Sequence, residues 1–174
     1  MDYTVETIKK AWTCKNRKKT PRLVITGGEP LLQSEALDKL IKELGNWNIE
    51  IETNGTIVPS DLQLFTCQIN CSPKLQNSGN SKLVTIKKKA IKEISRWDGI
   101  FKFVVANRED VEEVEKDFVI PFKIYVNQVI LMPLGTDKET LSENVKNIAE
   151  CAKEKGYRLI DRLQIKIWGN VRKT

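Results

Sequence analysis

The sequence predicts an α/β fold whose sheet is parallel and built from repeated strand–helix units. Short apolar strand patterns alternate with amphipathic helical patterns along all 174 residues, the rhythm that right-handed crossovers between parallel strands produce. No internal repeat, low-complexity stretch or Pro/Gly/Ser-rich linker interrupts them, so residues 1–174 read as one domain. The glycines, prolines and paired polar residues cluster just beyond the strand patterns, where sheets of this kind hold their ligands.

Thr4 to about Lys15 reads as a helix, with Val5, Ile8 and Trp12 on one stripe. Asn16 to Pro21 is a polar, basic loop. Arg22-Leu23-Val24-Ile25 has the continuous apolar character of a buried parallel strand. Thr26-Gly27-Gly28-Glu29-Pro30 breaks it, and a helix follows to Leu44, with Leu37, Leu40, Ile41 and Leu44 on one face and Gly45 as its stop. Strands are expected at Asn48–Glu52 and Gln68–Ser72, and a helix at Lys87–Arg96. Gly99–Ala106 is the clearest strand. Arg108–Phe118 carries Val111, Val114 and Phe118 at helical spacing. Lys123–Leu131 is expected to be a strand ending in Met132-Pro133. Asp137–Lys155 is an amphipathic helix with Leu141, Val145, Ile148 and Ala152 on one face, ended by Gly156. Leu159–Trp168 is expected to close the chain as a strand, because Leu163, Ile165 and Ile167 alternate.

Composition narrows the function. Apolar residues make up 40% and charged residues 30%, ordinary for a soluble globular protein. No apolar run approaches the ~20 residues of a membrane span. The first six residues carry an early acid and no apolar core, so no signal peptide is expected. Four cysteines are too few for a disulfide scaffold, and reduced thiols in a cytoplasm are expected. The absence of histidine excludes Ser-His-Asp and Cys-His catalysis and histidine-ligated zinc. The net charge is +6, and residues 1–22, with seven basic and two acidic side chains, hold +5 of it. Such a segment can meet phosphate. It lacks the interleaved aromatics of single-strand binders and reads better as a solvated helix end, so no direct nucleic-acid contact is expected.

The loops carry the chemistry. Gly27 and Gly28 let a ligand approach the backbone. Glu29 adds an anion suited to an ammonium group, although Pro30 also fits a simple strand-to-helix turn. Glu52 and Asn54 suit ribose or amino-acid groups, with a plain Asn-Gly turn at Asn54-Gly55 as the alternative. Lys74 suits a carboxylate or is simply solvated. Cys67 and Cys71 lie on a strand pattern, where four residues span roughly 13 Å, too far to share one metal ion. Cys14 and Cys151 sit on helical patterns as small apolar fillers.

Taken in order, Val24 to Gln33, Ile51-Glu52-Thr53-Asn54-Gly55-Thr56, Cys71-Ser72-Pro73-Lys74, Val129 to Gly135 and Asp161 to Arg172 resemble the 7-carboxy-7-deazaguanine synthase family of radical S-adenosylmethionine enzymes. Gly-Gly-Glu-Pro occurs in many radical enzymes. The Ser-Pro-Lys loop and the Arg-Leu-x-Ile-x-x-Trp-Gly ending point to this family.

The resemblance implies a partial (β/α) TIM-like barrel of parallel strands that lacks its first strand, a single incomplete radical S-adenosylmethionine core domain. It implies a cytoplasmic lyase of queuosine and deazapurine biosynthesis. That reaction contracts the ring of 6-carboxy-5,6,7,8-tetrahydropterin to 7-carboxy-7-deazaguanine with loss of ammonia. S-Adenosylmethionine, a [4Fe-4S] cluster and Mg²⁺ serve it, a reducing flavodoxin or ferredoxin supplies electrons, and the enzyme is a homodimer. By matched position, Gly27, Gly28 and Glu29 would hold the methionine amino group, with Glu52 and Asn54 as further cofactor contacts. Ser72, Pro73 and Lys74 would meet the ribose and carboxylate, and Met132 and Pro133 the adenine. Thr26, Gln164 and the end near Thr174 would meet the pterin substrate.

The sequence departs from the family at three places. It has no Cys-x₃-Cys-x₂-Cys cluster loop, and with that loop go the cluster and Mg²⁺ ligands. Gln164 stands where the family often has His, and can hydrogen-bond but not shuttle a proton. Arg172-Lys173-Thr174 replaces a common Arg-Gly ending. A fragment or a late start codon, with Met1 inside a longer protein, is therefore expected, and the chain alone is expected to be inactive. A non-catalytic S-adenosylmethionine-binding protein and a glycyl-radical-activating enzyme are the alternatives.

Overall fold

The structure is a computed structural model that describes residues 5–13, 20–79 and 86–170. Helix α1 (Val5–Thr13) precedes strand β1 (Arg22–Ile25), a 3₁₀ turn at Pro30–Gln33 and helix α2 (Ser34–Leu44). Strand β2 (Asn48–Thr53), helix α3 (Asp61–Thr66), strand β3 (Cys67–Cys71) and helix α4 (Lys88–Arg96) follow. Strand β4 (Ile100–Val105) leads into α5 (Arg108–Val114), which runs on as a π-helical stretch over Glu115–Val119 and a last turn at Ile120–Phe122. Strand β5 (Val129–Pro133), helix α6 (Lys138–Lys155), strand β6 (Arg158–Leu159) and helix α7 (Leu163–Trp168) complete the described chain.

The six strands of the described residues all pair in parallel, in the order β1-β2-β3-β4-β5-β6. Strand order equal to chain order makes every crossover take the chain one strand along, the progression of a barrel wall. Side chains alternate across the sheet. Ile49 and Ile51 of β2, Ile69 and Cys71 of β3, Phe101, Phe103 and Val105 of β4, and Val129 and Leu131 of β5 join the buried core with Leu37, Ile41, Ile91, Val111 and Ile148 of the helices. The alternate positions carry Arg22, Glu50, Glu52, Asn70, Lys102 and Met132 on the opposite face. One face is thus a hydrophobic core and the other is markedly polar.

Two expectations are corrected, and one further helix is found. The closing strand is only Arg158–Leu159, and Leu163–Trp168 is helical. The Ile160 N–H still donates to the Leu131 carbonyl, the last bond along this edge, and beyond it the Arg162 guanidinium donates to the Gly135 carbonyl as the chain enters the helix. Leu163 and Ile167 lie four residues apart as well as in alternation, so a short apolar run fitted both periods. The fifth strand begins at Val129, not Lys123. Lys123 adopts φ +52° as the cap of the preceding helix, and the buried Gln128 ties its Oε1 to the Tyr125 N–H and its Nε2 to the Ser95 and Gly99 carbonyls. Helix α3 was not expected. Its capping box, in which Ser60 Oγ accepts from the Gln63 N–H and Gln63 Oε1 from the Ser60 N–H, is written in the sequence as Ser-x-x-Gln.

Candidate functional site

The parallel order puts the ends of all six strands on one edge of the sheet, and hydrogen bonds stitch the loops there together. Glu29 is the centre. Its Oε1 accepts from the Leu31 N–H at 3.1 Å and from Thr53 Oγ1 at 2.8 Å, and its Oε2 accepts from the Asn54 N–H at 2.8 Å. The loop after β1 is thereby fastened to the loop after β2. The Asn54 side chain accepts from the Thr56 N–H at 2.9 Å, an Asx-type turn that fixes Gly55 at φ +76°. The Ser72 N–H donates to the Thr53 carbonyl at 2.7 Å, and Ser72 Oγ to the Lys102 carbonyl at 3.1 Å, which fastens the loop after β3 to β2 and β4. The Leu134 N–H donates to the Val105 carbonyl at 2.8 Å.

Among the residues singled out from sequence, Gly27, Gly28, Glu29, Asn54, Ser72, Pro73, Lys74, Met132 and Pro133 come to this edge. A Cβ added at Gly27 or Gly28 would meet nothing within 4 Å. The backbone there borders open space rather than packing, and Gly27, at φ +154°, adopts a conformation that side-chain-bearing residues rarely do. Ser72, Pro73 and Lys74 line a cavity of about 140 Å³ with Val104 and Leu134, so the loops after β3 and β5 share one wall. Pro133 is buried and Met132 half-buried. Thr26 is exposed at the end of β1. Gln164 is exposed on α7. Thr174 lies outside the described residues, as do Cys14 and most of the basic loop.

Glu52 is not alone. On the polar face, Lys102 Nζ lies 3.2 Å from Glu52 Oε1. Glu50, two residues earlier, is paired with Arg22 and accepts from Asn70 Nδ2 at 3.0 Å. Lys102 was missed in the sequence because it is embedded in Ile-Phe-Lys-Phe-Val-Val; its signal was a charge at an alternate position of an otherwise apolar strand.

The described residues do not fit an iron–sulfur cluster. Among the described residues no three of His, Cys, Asp or Glu come together to hold a metal ion. Cys67 opens β3 and the buried Cys71 closes it, while Cys151 is buried on α6. No described helix is long and apolar enough to cross a membrane.

No family model matches the chain. It is 38% identical over 159 residues to the 7-carboxy-7-deazaguanine synthase of Pyrobaculum aerophilum, an alignment covering 86% of this chain and 66% of that protein. The chain belongs to the 7-carboxy-7-deazaguanine synthase family. The Halobacterium salinarum 7-carboxy-7-deazaguanine synthase is 32% identical over 179 residues, covering 87% of this chain and again 66% of the relative. The chain thus spans about two-thirds of the length of these synthases. In fold it is similar to the crystal structure of QueE from Escherichia coli, with TM-score 0.62 and 21% identity over 92% of this chain and 64% of that one.

Proposed function

We propose that this chain is the S-adenosylmethionine-binding portion of a 7-carboxy-7-deazaguanine synthase, a radical enzyme that converts 6-carboxy-5,6,7,8-tetrahydropterin to 7-carboxy-7-deazaguanine. The observation that carries this reading is the Glu29 clamp. It holds Gly27 and Gly28, whose flanks are open, beside Asn54 and within one continuous edge with Ser72-Pro73-Lys74. The exposed Gly27–Gly28 backbone and the remaining lone pairs of Glu29 are suited to an ammonium group, and Lys74 to a carboxylate. When bound, the sulfonium cofactor supplies a 5′-deoxyadenosyl group for hydrogen abstraction; this chain's loops bind and orient it. The pterin would be met at Thr26 and Gln164.

The cluster that would reduce the cofactor has no ligand set among the described residues, and no electron-transfer step is assigned to them. The isolated chain therefore binds cofactor without turning over. Titration calorimetry with S-adenosylmethionine tests the first half: saturable one-site binding is expected, and its absence overturns the reading. Anaerobic incubation with iron, sulfide, dithionite and S-adenosylmethionine tests the second. No 5′-deoxyadenosine is expected; its formation at enzymatic rates would overturn the claim that the chain alone is inactive.

A further inference from the structure

The polar face of the sheet holds two carboxylates on one strand, and they are not equivalent. Both oxygens of Glu50 are engaged: the Arg22 guanidinium donates to Oε1 and Asn70 Nδ2 to Oε2, and its side chain is 19% exposed. Among the described residues Glu52 accepts from Lys102 Nζ alone, at 3.2 Å, and its side chain stays 45% exposed. An ionised carboxylate offers about four acceptor positions, so Glu52 keeps most of its capacity free. Lys102 reaches it from β4, across β3, and the Lys102 carbonyl accepts from Ser72 Oγ. The pair therefore sits between the Asn54 and Ser72 loops.

An exposed surface ion pair adds little stability. A carboxylate steered from one side and open on the other is suited to two adjacent hydroxyl donors, as in a ribose. We infer that Lys102 is a positioning residue for nucleoside recognition: its ammonium aims the Glu52 carboxylate at the vicinal hydroxyls of a sugar lying over β3. This deepens, and rests on, the cofactor-binding reading above. Arg22 cannot substitute, being committed to Glu50.

The test compares the full chain with Lys102→Met, Lys102→Arg, Glu52→Gln and the double variant Lys102→Met/Glu52→Gln. Calorimetry measures binding of S-adenosylhomocysteine and of its 2′-deoxy counterpart. The wild-type chain is expected to favour the diol by about tenfold, the scale of one hydrogen bond to a charged acceptor. Lys102→Met and Glu52→Gln should each reduce that preference to near unity. The double variant should lose nothing further, and Lys102→Arg should retain the preference. Melting temperatures of the variants should stay near wild type. If Lys102→Met keeps the tenfold preference, or if the two losses add, the positioning role is wrong while the pocket stands. If Lys102→Arg fails to rescue, Lys102 is not acting through its charge, and the inference falls. If the wild-type chain binds neither compound, the cofactor-binding reading itself fails, and this inference with it.

Discussion

Glu29 and Asn54 stand 25 residues apart in the chain and are joined by a 2.8 Å hydrogen bond from the Asn54 N–H to Glu29 Oε2. Thr53 Oγ1 and the Leu31 N–H occupy the other carboxylate oxygen. The acid of the Gly-Gly-Glu-Pro turn is thus a fastener between two loops as well as a candidate ligand. Removing it leaves three donors of a half-buried site without their acceptor. Glu29→Ala should lose about 2–3 kcal/mol, the penalty for stranding donors that served a charged acceptor. Glu29→Gln should fare only modestly better, since its amide must turn a donor toward one of those donors. Urea denaturation checks this; a Glu29→Ala midpoint equal to wild type would show that the clamp is ornamental.

Two glycines of the same edge should answer substitution in opposite ways. Gly55 sits at φ +76°, and an added Cβ would lie 2.6 Å from Cys71 Sγ and 2.9 Å from Ile91 Cδ1. Gly55→Ala combines a left-handed backbone with overpacking against a buried strand end, and should cost about 2–4 kcal/mol. At Gly28 the added atom meets nothing within 4 Å. Gly28→Ala should change stability by no more than about 0.5 kcal/mol yet weaken S-adenosylmethionine binding, because the methyl group enters the open space where the proposed reading puts the ligand. Thermal melts and calorimetry on both variants separate the effects. A Gly28→Ala protein that binds cofactor normally would move the ligand elsewhere.

These residues also show what the sequence made legible. The sheet direction and the gathering of loops followed from periodicity, because strands buried on one face leave a regular apolar trace, and punctuation by Gly and Pro marks their ends. The Glu29 clamp did not follow. Glu29, Thr53 and Asn54 were each visible, but their joining depends on the register of β1 against β2, where Val24 lies beside Glu50 and Ile25 beside Ile51. The long-range hydrogen bonds of Gln63 and Gln128 were invisible for a related reason. Both residues are buried polar side chains whose partners come from distant segments: Ser34 and Asp38 for Gln63, Ser95 and Gly99 for Gln128. Local pattern reports which face is apolar, and not which backbone group will need an acceptor there. The misread end of the chain is the complementary case, since six residues can satisfy a period of two and a period of 3.6 together.

The Cys71 thiol carries a pH dependence. Burial pushes its ionisation well above the ordinary 9.0, and the nearby Glu29 charge pushes the same way. Cys67 is also raised, chiefly by burial, against a hydrogen bond with Thr66 that lowers it; Asp38 adds to the rise. Because the folded state favours the protonated thiol, the stabilisation is complete below pH 9 and is lost as the pH rises above it. There the unfolded chain releases its proton while folded Cys71 retains it. The slope should approach about 1.4 kcal/mol per pH unit from Cys71. Cys71→Ala should flatten the stability profile above pH 9. In the native chain at pH 8, iodoacetamide should leave Cys71 unmodified while it labels the half-buried Cys67 slowly. Rapid labelling of Cys71 without unfolding would contradict the packing described for β3.

The last prediction concerns the edge of the sheet. Among the described residues β1 pairs only with β2. Beside it lies an apolar hollow of about 600 Å³ lined by Ile8, Trp12, Leu23, Ile25 and Trp47. Val24 is 48% exposed on this same strand. An edge strand flanked by apolar surface is a template for pairing with another chain, and a charge on it is the usual deterrent. The chain should therefore self-associate as its concentration rises, and Val24→Lys should suppress that without lowering the melting temperature appreciably, because the lysine projects from the polar face. Sedimentation velocity across a concentration series checks both statements. Equal association of the wild type and Val24→Lys would place the contact away from β1, and a wild type that stays monomeric throughout would show that the edge is already covered.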